Sequence, residues 1–287
     1  QTYNPIRPPM PKPPLAARPR ELWAGAIENL MRDPYIVFAK YILKLKPLDD
    51  IDRQPGIVDL GIIVHKVLEV FNRRFPGPLP ANAEEILKEI GRAAFAEAGI
   101  NRQTLAFWQP ALNKIVDWVL EKENNYRQEI SRVFCEAEGR YSFDAPGGTF
   151  TIGAKADRID ITTEGKINII DYKTGRARKK KEVSAGYAPQ LPIEGIIAQN
   201  GGFAGIPAAT VNSLRYWHLG KEEICVDGEI EKILERNLDN IKRLIAVFDN
   251  ENKPYLTQPN PKYAPTYSDY EHLSRIKEWG TTDNHDN

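Results

Sequence analysis

Cysteine is scarce in this chain of 287 residues: Cys135 and Cys225 stand far apart, and neither belongs to a CxxC pair. That argues against a scaffold stapled by disulfides and fits a reducing, cytoplasmic setting. No apolar run approaches the roughly 18 residues that a membrane span needs. Nor do residues 1–19 contain the apolar segment of a secretory signal, so no membrane partner is expected. Charge of one sign is also missing, with 39 basic residues against 39 acidic ones. Any contact with nucleic acid must then rest on a local patch rather than on a global field.

What the chain does have is concentrated between residues 149 and 194. Two alternating, β-branched runs, 149–161 and 166–173, flank a Gly-containing turn and predict a β-hairpin. Residues two apart on a strand share a face, so Asp171 and Lys173 point the same way as Ile167 and Ile169. Burying a carboxylate and an ammonium beside an apolar row costs several kcal/mol unless something pairs them. A divalent metal between Asp157 and Asp171, with Lys173 beside it, would supply that pairing. For the two acids to share a face, the residue numbers paired across the hairpin must sum to an even number, as with Asp157 opposite Lys173. A two-residue loop at Glu164-Gly165 gives an odd sum, so a three-residue loop with a left-handed residue at or near Gly165 is expected, or else a bulge.

The remainder reads as helices and shorter strands. Short helices are predicted over 21–32 and 35–43, split at Asp33-Pro34. An amphipathic helix over 57–75 carries Gly61, His65 and Glu69 one turn apart on one face. Asn82 with Glu85 resembles a capping box for a helix to about residue 98. A longer helix over 104–129 is expected to kink or restart at Pro110. Residues 131–143 alternate as a strand carrying Glu136, residues 209–218 form another strand, and 228–248 form a surface helix. Arg176, Arg178, Lys179, Lys180 and Lys181 follow the Lys173 strand at once. Such a run is ordinarily a solvated loop, but its position also suits a nucleic-acid backbone. Gln190 and Glu194 lie a turn apart on the next helix.

In this order, Asp157, then Asp171-Tyr172-Lys173 fourteen positions on, then Gln190 opening a helix, resemble the signature of the PD-(D/E)XK nuclease superfamily in its RecB-like form. Lys173-Thr174-Gly175 and Gln190-Leu191-Pro192 narrow the likeness. Residues 20–280 together resemble the C-terminal nuclease domain of AddB-type subunits, which belong to bacterial helicase–nucleases that process double-strand breaks. The resemblance implies an α/β fold: a restriction-endonuclease-like core with a central mixed sheet flanked by helices, and an N-terminal helical elaboration. The expected layout is a flexible proline-rich linker (1–19, seven prolines), a helical part (20–130), a catalytic core (131–250), a C-terminal wrap (251–280) and a disordered tail (281–287). A start at Gln1 rather than Met points to a domain cut from a longer protein.

The activity implied is Mg²⁺-dependent cleavage of DNA, exonucleolytic or endonucleolytic on single strands, with Mn²⁺ expected to substitute. His65, Asp157, Asp171 and the backbone carbonyl of Tyr172 are the implied metal ligands. Lys173 would stabilise developing charge, and Gln190 would hold Lys173 or the phosphate. Glu69, Glu136 and Glu194 are accessory candidates, and Arg176, Arg178 and Lys179–Lys181 the candidate DNA contacts. The implied partners are unwound DNA ends and an AddA-type helicase–nuclease subunit. Two departures stand out. Glu194 replaces the tyrosine usual in this group, which suits it to accept from Lys173 or from a metal-bound water rather than to stack on substrate. Asp33 occupies the place of a cysteine found in the iron–sulfur branch, and two cysteines cannot supply the four thiolates of such a cluster. The alternative reading is a catalytically inactive nuclease-like module that binds DNA or serves structurally in a helicase complex. A third is an interaction domain whose acids form salt bridges. The joint presence of Asp157, Asp171 and Lys173 favours the active form.

Overall fold

The computed structural model describes residues 8–48, 55–175, 186–226 and 228–279. Its centre is a six-stranded mixed sheet. The strands are β1 (Glu21–Trp23), β2 (Ile130–Ala145), β3 (Gly148–Thr162), β4 (Ile167–Lys173), β5 (Val211–His218) and β6 (Glu222–Cys225). β2 runs antiparallel to β3 along its whole length. The other edge of β3 is shared: residues 151–153 pair in parallel with β1, and residues 158–161 pair antiparallel with β4. β4 then pairs in parallel with β5, and β5 antiparallel with β6.

The β3–β4 hairpin follows from its turn chemistry. Thr162 N–H donates to Lys166 O at 2.8 Å and Gly165 N–H to Thr162 O at 2.9 Å, which leaves three residues in the loop. Gly165 takes the left-handed conformation, φ 77°, which costs glycine nothing. The register is even, as expected: Arg158 pairs with Ile170 and Ile161 with Ile167. Continued by one step it sets Asp157 across from Asp171, rather than across from Lys173.

Both faces of the sheet are covered, so β4 is apolar on both sides and buried along six of its seven residues,. On one face lie α1 (Ala24–Arg32), α6 (Gln190–Gln199) and α7 (Ile230–Asp249). Their Ile27, Ile193, Ile197, Leu234 and Ile241 pack with Ile152, Ile159, Ile167 and Ile169 of the sheet. On the other face α3 (Ile57–Arg74), α4 (Ala83–Glu97) and α5 (Arg102–Tyr126) bring Val64, Leu68, Phe71, Leu87 and Trp108 against Ile170, Tyr172 and Trp217. Each such aliphatic or aromatic side chain contributes about 1.5–3 kcal/mol by leaving water.

Several expectations change. Residues 21–23 are a strand, not the start of a helix: Leu22 is buried and the backbone pairs with β3. The helical part therefore lends a strand to the sheet. Residues 8–19 do not behave as a free tether. Arg18 is buried and donates to the carbonyls of Pro13, Phe248, Asn250 and Glu251, while Tyr255 N–H donates to Pro11 O. The guanidinium satisfies carbonyls in loops and in the last turn of α7, which have no helical partner,. α5 runs through Pro110 as one helix; Ala106, whose carbonyl the proline cannot reach, is exposed and has water for a partner,. Asn82 precedes α4 without any side-chain cap. The C-terminal wrap ends in two short helices, α8 (Glu271–Ser274) and α9 (Ile276–Trp279), which meet at Arg275, whose φ is 56°. Between α1 and α2 (Pro34–Val37), Asp33 is buried, and burial pushes its carboxyl up to about 6 despite backbone donors. Among the described residues, no helix is long and apolar enough to cross a membrane.

Candidate active site

The site forms where β3 and β4 part. Their ladder stops at Arg158 and Ile170. One step on, the Asp157 carboxylate takes over as acceptor: Tyr172 N–H donates to Asp157 Oδ2 at 2.8 Å. A residue's N–H and C=O point to the same edge of a strand, so the Tyr172 carbonyl faces this fork too. Next to it, Lys173 O accepts from Leu219 N–H on the β5 side.

His65 comes to the fork from α3, with Nδ1 3.4 Å from Asp157 Oδ1 and its ring edge-on to Tyr172 at 5.9 Å. The helix approaches closely because residue 61 is glycine; a methyl there would meet Thr174 Oγ1 at 2.8 Å. Burial pushes the His65 imidazole down, but the hydrogen bond and charge of Asp157, with the charge of Asp171, hold it above its ordinary value.

Glu136 arrives from β2. The β2–β3 pairing joins Cys135 to Arg158 and Ala137 to Ala156 but skips Glu136 and Asp157 between them. Glu136 there has a φ of 54°, a left-handed conformation that costs a non-glycine residue about 1–3 kcal/mol. A nitrogen of His65, a carboxylate oxygen of Glu136 and one of Asp157 lie within 4.8 Å of one another. Two carboxylates and an imidazole, with a backbone carbonyl nearby, suit a hard divalent cation such as Mg²⁺ or Mn²⁺. Cys135 adds no thiolate, since burial pushes its thiol up to about 12.

Asp171 stands beside this group rather than in it. Lys173 Nζ donates to its Oδ1 at 2.9 Å and lies 2.7 Å from Oδ2, while Gln190 Nε2 donates to Oδ1 at 2.6 Å. Lys173 Nζ also donates to Gln190 Oε1 at 3.3 Å. The metal-ready set in this structure is thus His65–Glu136–Asp157, with Glu136 where Asp171 was expected. The ammonium of Lys173 engages both oxygens of Asp171. Burial pushes the Asp171 carboxyl up to about 6, although Lys173 opposes the shift. Glu69 lines the cleft but is held by Lys66 at 2.9 Å and Arg73 at 3.0 Å. Arg176, Arg178, Lys179, Lys180 and Lys181 lie outside the described residues.

Glu194 is fully buried; one oxygen accepts from Gln190 Nε2 at 3.2 Å and the other has no hydrogen-bond partner. Burial, then the charges of Asp171 and Asp157, raise its carboxyl well above 4.5. A folded-state value above the unfolded one means stability that is whole below 4.5 and lost as pH rises,. Glu194→Gln is therefore expected to raise the melting temperature by a few degrees at pH 7.5 and to leave it unchanged at pH 4. A lower melting temperature at pH 7.5 would mean that Glu194 is ionised and paired.

Behind the fork sits a buried ionic network that the sequence did not reveal. Arg158 Nε donates to both oxygens of Asp160 at 2.8 and 2.9 Å, and its Nη1 to Glu123. Arg127 Nε donates to Glu123 at 2.6 Å, and its Nη2 to Asn72. Asn72 Nδ2 in turn donates to the Tyr172 hydroxyl at 3.1 Å. Tyr172 is thus held at its hydroxyl by this network and at its amide by Asp157. His218, also unforeseen, lies with Nε2 2.5 Å from Gly175 O and tethers the chain just after Lys173.

A sequence profile of the PD-(D/E)XK nuclease superfamily matches residues 24–268. The chain belongs to that superfamily. Its similar proteins include an uncharacterized protein of Rickettsia bellii (strain RML369-C), 32% identical over 185 residues, which cover 64% of this chain and 22% of that protein. Another, from Rickettsia felis (strain ATCC VR-1525 / URRWXCal2), is 31% identical over 189 residues, again 64% of this chain and 22% of the relative. The matched region thus spans about a fifth of the length of these curated relatives. The crystal structure of SSO0001 covers 78% of this chain and 76% of its own, with a TM-score of 0.33 and 13% identity.

Proposed function

We propose that this PD-(D/E)XK domain is a Mg²⁺-dependent deoxyribonuclease, with Mn²⁺ able to substitute, acting as the nuclease of an AddB-type subunit in a cytoplasmic helicase–nuclease that processes double-strand breaks. The observation that carries the reading is the meeting of His65, Glu136 and Asp157 within 4.8 Å beside a lysine held by Asp171 and Gln190. In that reading His65, Glu136, Asp157 and the Tyr172 carbonyl hold the cation. A bound Mg²⁺ supplies Lewis-acid charge for the scissile phosphate and a nucleophile at neutral pH. Lys173, its ammonium fixed between Asp171 and Gln190, presents positive charge to the oxygen that becomes negative in the transition state. Gln190 keeps Lys173 from swinging away from that position. The basic run at Arg176, Arg178, Lys179, Lys180 and Lys181 is assigned to the DNA backbone, and an AddA-type subunit is the proposed partner of the longer protein.

The test is incubation of the 287-residue chain with linear single-stranded and duplex DNA, with Mg²⁺, Mn²⁺ or EDTA. Cleavage that needs the divalent ion and disappears in Asp157→Asn is expected. DNA binding that weakens with salt, with no cleavage under either metal, would overturn the reading in favour of an inactive DNA-binding module.

A further inference from the structure

Three of the most exposed aliphatic side chains lie together at the start of α3. Ile57, Val58 and Ile62 are 70, 68 and 63% exposed. Single exposed apolar residues are ordinary on any surface. These three fall within six positions of one helix and line the same open cleft, about 610 Å³, as His65, Glu136 and Asp157. Ile57, Gly61 and His65 follow one another at four-residue spacing, so the aliphatic ridge leads along the helix to the proposed metal ligand. The distance from residue 57 to 65 is about 12 Å at the helical rise.

Charge in the cleft decides what this ridge can hold. Lys66 is paired with Glu69 at 2.9 Å and Lys155 with Glu136 at 2.6 Å. Both wall cations lie against the cleft's own acids, Glu69 being shared with Arg73. At the start of α3 the surface of the cleft is aliphatic. It is also stiff, because all three side chains are β-branched and lose little rotamer freedom on contact. Three side chains on two turns are far fewer than the roughly 20–30 residues a side of a stable protein interface. A flat, apolar-faced group tethered to a phosphate fits this space. In a duplex the faces of the bases are stacked and unavailable; in a single strand or a frayed end they are free to be splayed out.

We infer that Ile57, Val58 and Ile62 form a subsite for one unstacked nucleobase next to the scissile phosphate, so that this site takes single-stranded DNA or frayed ends by gripping a base. The inference rests on the nuclease reading for the position of the phosphate. Its experiment measures, in EDTA, the binding of an oligothymidylate and of an abasic oligomer of equal length to the wild-type chain and to Ile57→Thr/Val58→Thr/Ile62→Thr. Threonine keeps the β-branch at exposed positions, so the variant is expected to fold, as circular dichroism will check. Wild type should bind the base-bearing strand about ten-fold more tightly than the abasic one, and the variant should bind the two alike. Equal binding of both strands by wild type, or a preference that survives in the variant, would overturn the subsite. Cleavage with Mg²⁺, run on the same wild-type preparation, is judged separately. Cutting without base preference sinks the subsite alone, and base preference without cutting sinks the nuclease reading alone.

Discussion

Lys173→Ala is expected to lower Mg²⁺-dependent cleavage by about 10²–10³-fold, the usual loss when a pre-aimed group that stabilises transition-state charge is removed. The structure adds why the fold should survive. Without Lys173, the buried Asp171 keeps the hydrogen bond from Gln190 Nε2. Its carboxyl already sits at about 6 because of burial, so taking up a proton near neutral pH costs little. The variant should keep its melting temperature within a few degrees and bind Mn²⁺ as wild type does in a calorimetric titration. Lys173→Arg should not restore the rate, since a planar guanidinium cannot occupy the place of a compact ammonium between Asp171 and Gln190. Full cleavage by Lys173→Ala under excess Mg²⁺ would remove Lys173 from the mechanism.

The largest effect on stability is expected away from the metal ligands. Arg158→Ala leaves Asp160 without its cation and Glu123 with only Arg127. All of these groups are buried. Breaking a buried pair from one side costs about 3–5 kcal/mol, a large part of the 5–15 kcal/mol that holds a domain together. Urea titration should show the midpoint falling sharply. Arg158→Met combined with Asp160→Leu removes a charge of each sign together, and should recover part of the loss, because the stranded carboxylate at Asp160 is gone. If Arg158→Ala cost under about 1 kcal/mol, the network would be hydrated, and its grip on Tyr172 would be weak.

The hairpin at the fork and the elements packed around it were not equally legible in the sequence. The hairpin could be read because alternation and parity are geometric: once Asp157 and Asp171 had to share a face, an even register followed, and with it a three-residue loop with a left-handed residue at or near Gly165, or else a bulge. α3 and its His65 face followed from spacing alone. β1 could not be read, since Glu21-Leu22-Trp23 is too short to show a period and becomes a strand only through its pairing with residues 151–153. Arg158 and Asp160 are charged residues on an alternating strand, and nothing in that pattern marks them as buried. Only α5 packing across them makes them interior, a relation between residues far apart in the chain. Glu136 entering the metal group depends on a left-handed φ that no side-chain pattern announces. Asp171 could be seen to need a partner, but the sequence alone could not decide between Lys173 with Gln190 and a metal.

The shared edge of β3 also bears on how the protein is made. Residues 21–23 leave the ribosome well before their partners at residues 151–153, which follow 130 positions later (151 − 21). At synthesis rates of about 5–20 residues per second, the wait is roughly 6–26 s. Through that interval Leu22 and an unpaired backbone edge have no native partner, and the helices of residues 57–126 can form first. The strand that borders the front of β3 is then the oldest part of the sheet by synthesis, and it waits longest for its partner. During translation of this domain, the short strand ahead of α1 is where a holding chaperone has the most to do.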